Sequence, residues 1–200
     1  MAVDATAVPL EQDPLWRQAG APTVIDAIGR VCSTPVRGYF CPSRNRSQTF
    51  PHTPEWIIPA SYPRAGNDYT GNVGGGGKPN GIFDFGMTPA AFTDGMSNTL
   101  AAGERAIPVQ WYEGQSPANS GYASSFDAGV DISFRPYSPQ RDFTGEPPDN
   151  YHLQWGAVHP SGMNALFADG AVRVVPYTID EMLFKNLCIR NDGQVVSLDF

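Results

Sequence analysis

The chain has 200 residues, enough for one domain with its own core. It is 41% hydrophobic and only 16% charged, and Gly (21) and Pro (19) together make a fifth of it. The net charge is -7 and no Lys/Arg run occurs, which excludes the basic face of a nucleic-acid binder, and no apolar run approaches the ~20 residues of a spanning helix.

This composition favours turns, short strands and long ordered loops over helical bundles. The start MAVDATAVPLEQDP has neither the basic nor the apolar region of a signal peptide. Residues 9–20 allow a short helical turn. PTVIDAIGRV then places Val24, Ile25, Ile28 and Val31 at helical spacing, with Pro22 suited to the first turn and Pro35 ending the helix. VRGYFCPS is predicted as a short strand running into a turn.

Residues 43–81 are loop-rich, and Gly74 to Gly77 are not a phosphate loop because no GK[ST] follows them. In TDGMSNTLAAGERA, Asp94-Gly95 marks a turn and TLAAGE a short buried strand. Residues 108–154 form a long loop-rich insertion within a single 1–200 domain. MNALF and AVRVV alternate and are joined by Ala168-Asp169-Gly170, a strong hairpin signal. Asp180 or Thr178 caps a helix with apolar face Met182, Leu183, Leu187 and Cys188, Asn191-Asp192-Gly193 ends it, and QVVSLDF is predicted as a last strand.

Cys32 and Cys41, nine residues apart, suit a small disulfide loop in an oxidising compartment. Cys41–Cys188 is the other pairing, and a buried reduced Cys is the plain alternative. No CxxC or HxxH pair favours zinc.

Several segments in succession carry a resemblance: LEQDPLW (10–16), YFCPS (39–43), DYTGNVG (68–74), FTDGMSNTLAAGER (92–105), HPSGMNALFADGAVRVVPYTID (159–180) and NDGQVVSLDF (191–200). This order resembles a large family of bacterial prepilin-like (pseudopilin-like) proteins, abundant in planctomycetes, that carry the domain of unknown function numbered 1559. Its DGTSNT-like turn corresponds to Asp94–Thr99. Its late H-x-G-G-x-N-x-L-F-A-D-G-S-V segment corresponds to His159, Gly162, Asn164, Leu166, Phe167, Ala168, Asp169, Gly170 and Val172. Ser161 replaces the first Gly of the pair and Ala171 the common Ser.

The resemblance implies an α+β fold: a pilin-like antiparallel β-sheet with short helices and long ordered loops. Family members begin with a prepilin leader and a long apolar helix, and the chain is read as the soluble part, its N-terminal membrane helix missing. An apolar sheet face left open by that helix is expected. The resemblance also implies an extracytoplasmic structural or surface protein (periplasm or cell surface) without catalysis or cofactor, whose partners are other pilin-like subunits or cell-surface components, with no nucleic acid.

Two alternatives stand beside it. A metal-dependent hydrolase would draw on Asp94, Glu104, His159 and Asp169, because His and carboxylates can hold a metal or exchange protons. None has a recognised ligand spacing, both Asp residues precede Gly in turns, and Ser97 lacks a nucleophile elbow. A carbohydrate- or calcium-binding surface module would use loop aromatics (Trp56, Trp111, Tyr112, Tyr122, Tyr137, Tyr151, Trp155). Its calcium would come from acidic loops at Asp127, Asp131, Asp142, Asp149, Asn150 and Asp192, since some major pseudopilins bind calcium near the C-terminus.

Overall fold

A computed structural model describes residues 21–50, 63–75, 80–82, 87–113, 132–133, 137–145 and 154–196. Its contacts divide the chain into two compact units, Met1–Asn67 with Trp111–Ala128, and Asp68–Gln110 with Gly129–Phe200. The elements make an α+β fold, with two α-helices and mainly antiparallel strand pairing among the described residues. No helix among them is long and apolar enough to cross a membrane.

In the first unit, helix α1 spans Val24–Ser33. Thr23 caps it: its hydroxyl accepts the Asp26 N–H at 3.1 Å and donates to Asp26 Oδ2 at 2.7 Å. Pro22 therefore precedes the cap and does not occupy the first turn. Thr34, held extended before Pro35, stops the helix. The helix buries Gly29 and Cys32 and leaves Val24 and Ile25 exposed. Residues 37–39 form a 3-10 turn, not the predicted strand. Strands β1 (Thr49–Phe50) and β2 (Arg64–Ala65) pair antiparallel. The Arg46 guanidinium lies 5.7 Å from the Phe40 ring centre and 5.0 Å from that of Phe50. Cys32, Cys41 and, in the second unit, Cys188 are buried thiols. The Cys32–Cys41 bridge considered from the sequence is thus not formed, and Cys32 packs as a small hydrophobe in the helix face.

The second unit is built on a five-stranded sheet in the order β5-β3-β4-β8-β9, with β3 at Tyr69–Asn72, β4 at Leu100–Glu104, β5 at Ile132–Ser133, β8 at Gly162–Phe167 and β9 at Val172–Pro176. All neighbours are antiparallel except β3–β5. The short strands β6 (Gln140–Arg141) and β7 (Gly156–Ala157) pair parallel. The predicted 164–175 hairpin is present, turning at Gly170 with φ +85°.

One face of β8 and β9 sends Met163, Ala165, Phe167 and Val175 into the core, where they meet Leu100, Trp155, Ala157 and helix α2 (Glu181–Leu187). Trp155 meets Phe184 edge-on, ring centres 6.0 Å apart. Asp180 caps α2, accepting from Met182 N and Leu183 N at 2.9 and 3.0 Å. The helix buries Phe184 and Leu187, and Leu183 and Cys188 also pack on the core as expected, whereas Met182 is 60% exposed and Phe184 takes its place on the apolar face. Gln194–Val196 form no strand, and the rest of the predicted last strand and the 9–20 turn lie outside the described residues.

Phe184→Ala is expected to lose about 3–5 kcal/mol of stability. Met182→Ala is expected to lose less than about 0.5 kcal/mol. Denaturant unfolding followed by tryptophan fluorescence distinguishes the two, and equal losses would refute the burial of Phe184 in place of Met182.

Candidate functional site

The polar residues picked from the sequence are positioned by an irregularity in β4. Leu100 pairs with Phe167, yet Ala102 pairs with Leu166, so two steps on β4 match one on β8. Strict alternation would place residues 100, 102 and 104 on one face. The bulge breaks that rule. Leu100 points into the core, and Gly103 packs on the same side, where an added Cβ would lie 3.1 Å from Trp155. Glu104 is turned to the opposite face.

There the Glu104 side chain is 1% exposed, and both its oxygens have partners. Oε2 accepts from Asn164 N at 2.8 Å and from Asn164 Nδ2 at 3.2 Å, and Oε1 lies 3.0 Å from His159 Nε2. With the carboxylate ionised, the imidazole Nε2–H is the donor. Such charge-assisted bonds are about twice as strong as neutral ones.

The loop bearing His159 is held a second way. The Tyr177 hydroxyl lies 2.9 Å from Ala157 O and 2.8 Å from His159 O and donates to this carbonyl pair. Burial, reinforced by the nearby charges of Asp142 and Glu104, pushes the Tyr177 phenol up to about 12. The neutral O–H that the two carbonyls need is thereby the preferred form.

The four candidate ligands do not converge as a set. Glu104 and His159 meet. Asp94, 3% exposed, accepts from Asp192 N at 2.8 Å, Gly193 N at 2.9 Å and the Thr93 hydroxyl at 3.2 Å. Asp169 sits in the hairpin turn, accepting from Ala171 N at 2.9 Å and pairing with Arg173 Nη2 at 2.8 Å. The Ala171 N–H and Arg173 hold its carboxyl below the usual range. Arg173 in turn covers the Phe167 ring at 4.4 Å and donates to Ser97 O at 3.0 Å. A carboxylate and an imidazole are donor types found in zinc sites, but here both Glu104 oxygens already accept hydrogen bonds, and Asp94 and Asp169 serve backbone N–H groups.

Of the aromatics considered for sugar stacking, Trp155 is a core residue, Trp111, Tyr112 and Tyr137 are half-buried, and Trp56, Tyr122 and Tyr151 lie outside the described residues. Among the acidic loop residues, Asp142 accepts from Ile107 N at 2.9 Å and Asp192 from Gln194 N at 2.9 Å. Asp127, Asp131, Asp149 and Asn150 lie outside the described residues. Asn164 was noted in the sequence only as a residue of the late family motif, with no role given, and Tyr177 was not singled out. Asn164 reads as an ordinary outward position of an alternating strand, and Tyr177 follows the strand with no motif of its own.

The profile of a family described as protein of unknown function (DUF1559) matches residues 5–182. No curated protein and no solved structure matches the chain.

Glu104→Ala is expected to cost about 3 kcal/mol, because Asn164 and His159 lose their acceptor. Glu104→Gln keeps an oxygen for Asn164 and should cost about 1 kcal/mol. Thermal unfolding at neutral pH checks the ranking, and equal losses would show that the oxygen kept by Gln does not substitute for the carboxylate. The Tyr177 shift has a separate signature. Its pKa is raised in the folded state, so its contribution is intact below the ordinary value of 10.0 and is lost as pH rises through about 12. Alkaline unfolding of Tyr177→Phe should lack this component of the pH dependence.

Proposed function

Because the chain belongs to the DUF1559 family of proteins of unknown function, we propose that it is an extracytoplasmic, pseudopilin-like structural or surface module that docks other subunits and performs no catalysis. Its partners are other pilin-like subunits or cell-surface components, and the parent protein is anchored by an N-terminal apolar helix.

One observation carries this reading. The face of β8 and β9 opposite the core carries an exposed apolar strip next to the polar Asn164, which pairs with Val174. Leu166 is opposite Val172, and these two residues and Val174 are 40%, 67% and 49% exposed. Antiparallel partners share a face, so the three side chains form one strip beside Ala102 of β4, which pairs with Leu166. β9 is also the last strand in the sheet order. Open apolar strips mark interaction surfaces, and a sheet face of this kind is what the resemblance leads one to expect where a helix or neighbouring subunit packs. The polar cluster supports the same reading: Glu104, His159, Asn164 and Tyr177 bond to one another or to backbone carbonyls, which rigidifies the loop entering β8.

The double variant Val172→Lys/Val174→Lys should keep its stability within about 0.5 kcal/mol per site. In cells it should lose its crosslinks to pilin-like subunits. Unchanged crosslinking, or recovery of the full-length protein from the cytoplasmic fraction, would sink the proposal.

A further inference from the structure

β9 ends the five-stranded sheet, so one of its edges has no neighbouring strand. The hairpin decides which main-chain groups face that edge. Phe167 N–H donates to Ala171 O at 2.9 Å, and Gly170 N–H donates to Phe167 O at 2.9 Å. In an antiparallel ladder, hydrogen-bonded pairs alternate with non-bonded ones. Stepping along the register from 167 and 171, the bonded pairs are Ala165 with Arg173 and Met163 with Val175. The non-bonded pairs are Leu166 with Val172, Asn164 with Val174 and Gly162 with Pro176. The N–H and C=O of Val172 and Val174 therefore point away from β8 to the open edge, and no hydrogen bond satisfies them among the described residues. Pro176, the next outward position, has no N–H to offer, which is where a sheet tolerates proline.

Natural sheet edges are commonly blunted by charge or by a cover. This one is short but uncharged. Val172 and Val174 are exposed β-branched side chains on the strip shared with Leu166. Arg173, the one charge on the strand, is turned inward: its guanidinium covers the Phe167 ring on β8 and pairs with Asp169 at 2.8 Å. Unpaired N–H and C=O groups two residues apart call for an extended strand, and Val172-Arg173-Val174 reads the same in both directions. A second copy related by a two-fold axis at Arg173 sets Val172 against the other copy's Val174 and Val174 against its Val172. Both pairs then exchange their N–H···O bonds, and every outward group of the two valines is used. The neighbouring register, with Val174 against itself, sets Val172 against Pro176 and leaves the Val172 carbonyl without a donor.

We propose that β9 is a self-pairing edge: two copies of the chain dock antiparallel through Val172 and Val174 and continue the sheet across a two-fold axis. The inference rests on the docking reading above and specifies how a neighbouring subunit is engaged. The four valines form β-branched cross-strand pairs on one face. The two Arg173 side chains lie on the other, each held by its own Asp169. The same patch serves both partners, as a two-fold contact requires. An edge this short falls below the roughly 1,200 Å² of a stable interface, so the pair is weak, with a Kd of roughly 0.1 mM.

The test is amide hydrogen exchange of the whole chain at roughly 0.01 and 1 mM. At the higher concentration Val172 and Val174 should gain about fivefold protection by mass action. Arg173, whose N–H already faces β8, should not change. Val174→Pro removes one outward donor, keeps the strip apolar and spares the β8 ladder, so it should stay folded and lose the gain at Val172. Unchanged exchange at Val172 and Val174, or a gain that survives in Val174→Pro, overturns the proposal. Isotope-filtered NOE spectroscopy on mixed labelled and unlabelled wild-type chains needs no variant. It should show contacts from Val172 of one copy to Val174 of another, and their absence overturns the pairing. In cells, crosslinks between two copies should be lost in Val174→Pro. If they persist there while Val172→Lys/Val174→Lys removes them, the strip docks subunits without edge pairing, and this inference alone fails.

Discussion

Glu104 is a charge with almost no access to water, and much of the second unit is arranged around satisfying it. Burying an ionised carboxylate is costly unless its oxygens are fully hydrogen-bonded. The backbone N–H of Asn164 on β8 meets one oxygen and His159 the other. The Tyr177 hydroxyl, within hydrogen-bond distance of the carbonyls of 157 and 159, helps hold the loop that presents His159. All of this depends on the bulge in β4, without which the carboxylate would point into the cluster of Trp155, Phe167 and Phe184.

Four further acidic side chains follow the same chemistry on a smaller scale. Asp94, Asp142, Asp169 and Asp180 each accept backbone N–H groups at a turn, a loop crossing or a helix start. Such short side chains reach backbone donors that have no partner in a strand or helix. A chain with long Gly- and Pro-rich connections has many such donors. Among the described residues these short acidic side chains serve as loop scaffolding.

The sheet separates two roles by face. Towards α2, side chains interdigitate: Gly103 admits the Trp155 ring, and Arg173 lies over Phe167. Away from it, Leu166, Val172 and Val174 stay open. The exposed strip is the part of that face that the proposed docking role would use, beside the polar cluster of Glu104, His159 and Asn164. The polar anchoring at Glu104 keeps the β8 end of that surface in register.

The hairpin, its Asp-Gly turn, the buried strand at 100–104 and the Asp180-capped helix were all legible in the sequence, because each depends on local chemistry: alternation, a residue tolerant of positive φ, a capping side chain. The family was legible too, through motifs lying in order along the chain. On α2 the sequence reading placed Leu183, Leu187 and Cys188 on the core side but took Met182 for Phe184; both are apolar, and it is Phe184 that meets Trp155. The pairing of Glu104 with His159, 55 residues apart, the capture of residues 192–193 by Asp94, and the buried thiols at Cys32 and Cys41 belong to tertiary structure alone. A bulge that reverses which way a side chain faces, and a contact between distant turns, are set by packing against non-local partners. Propensity and spacing along the chain carry no record of those partners.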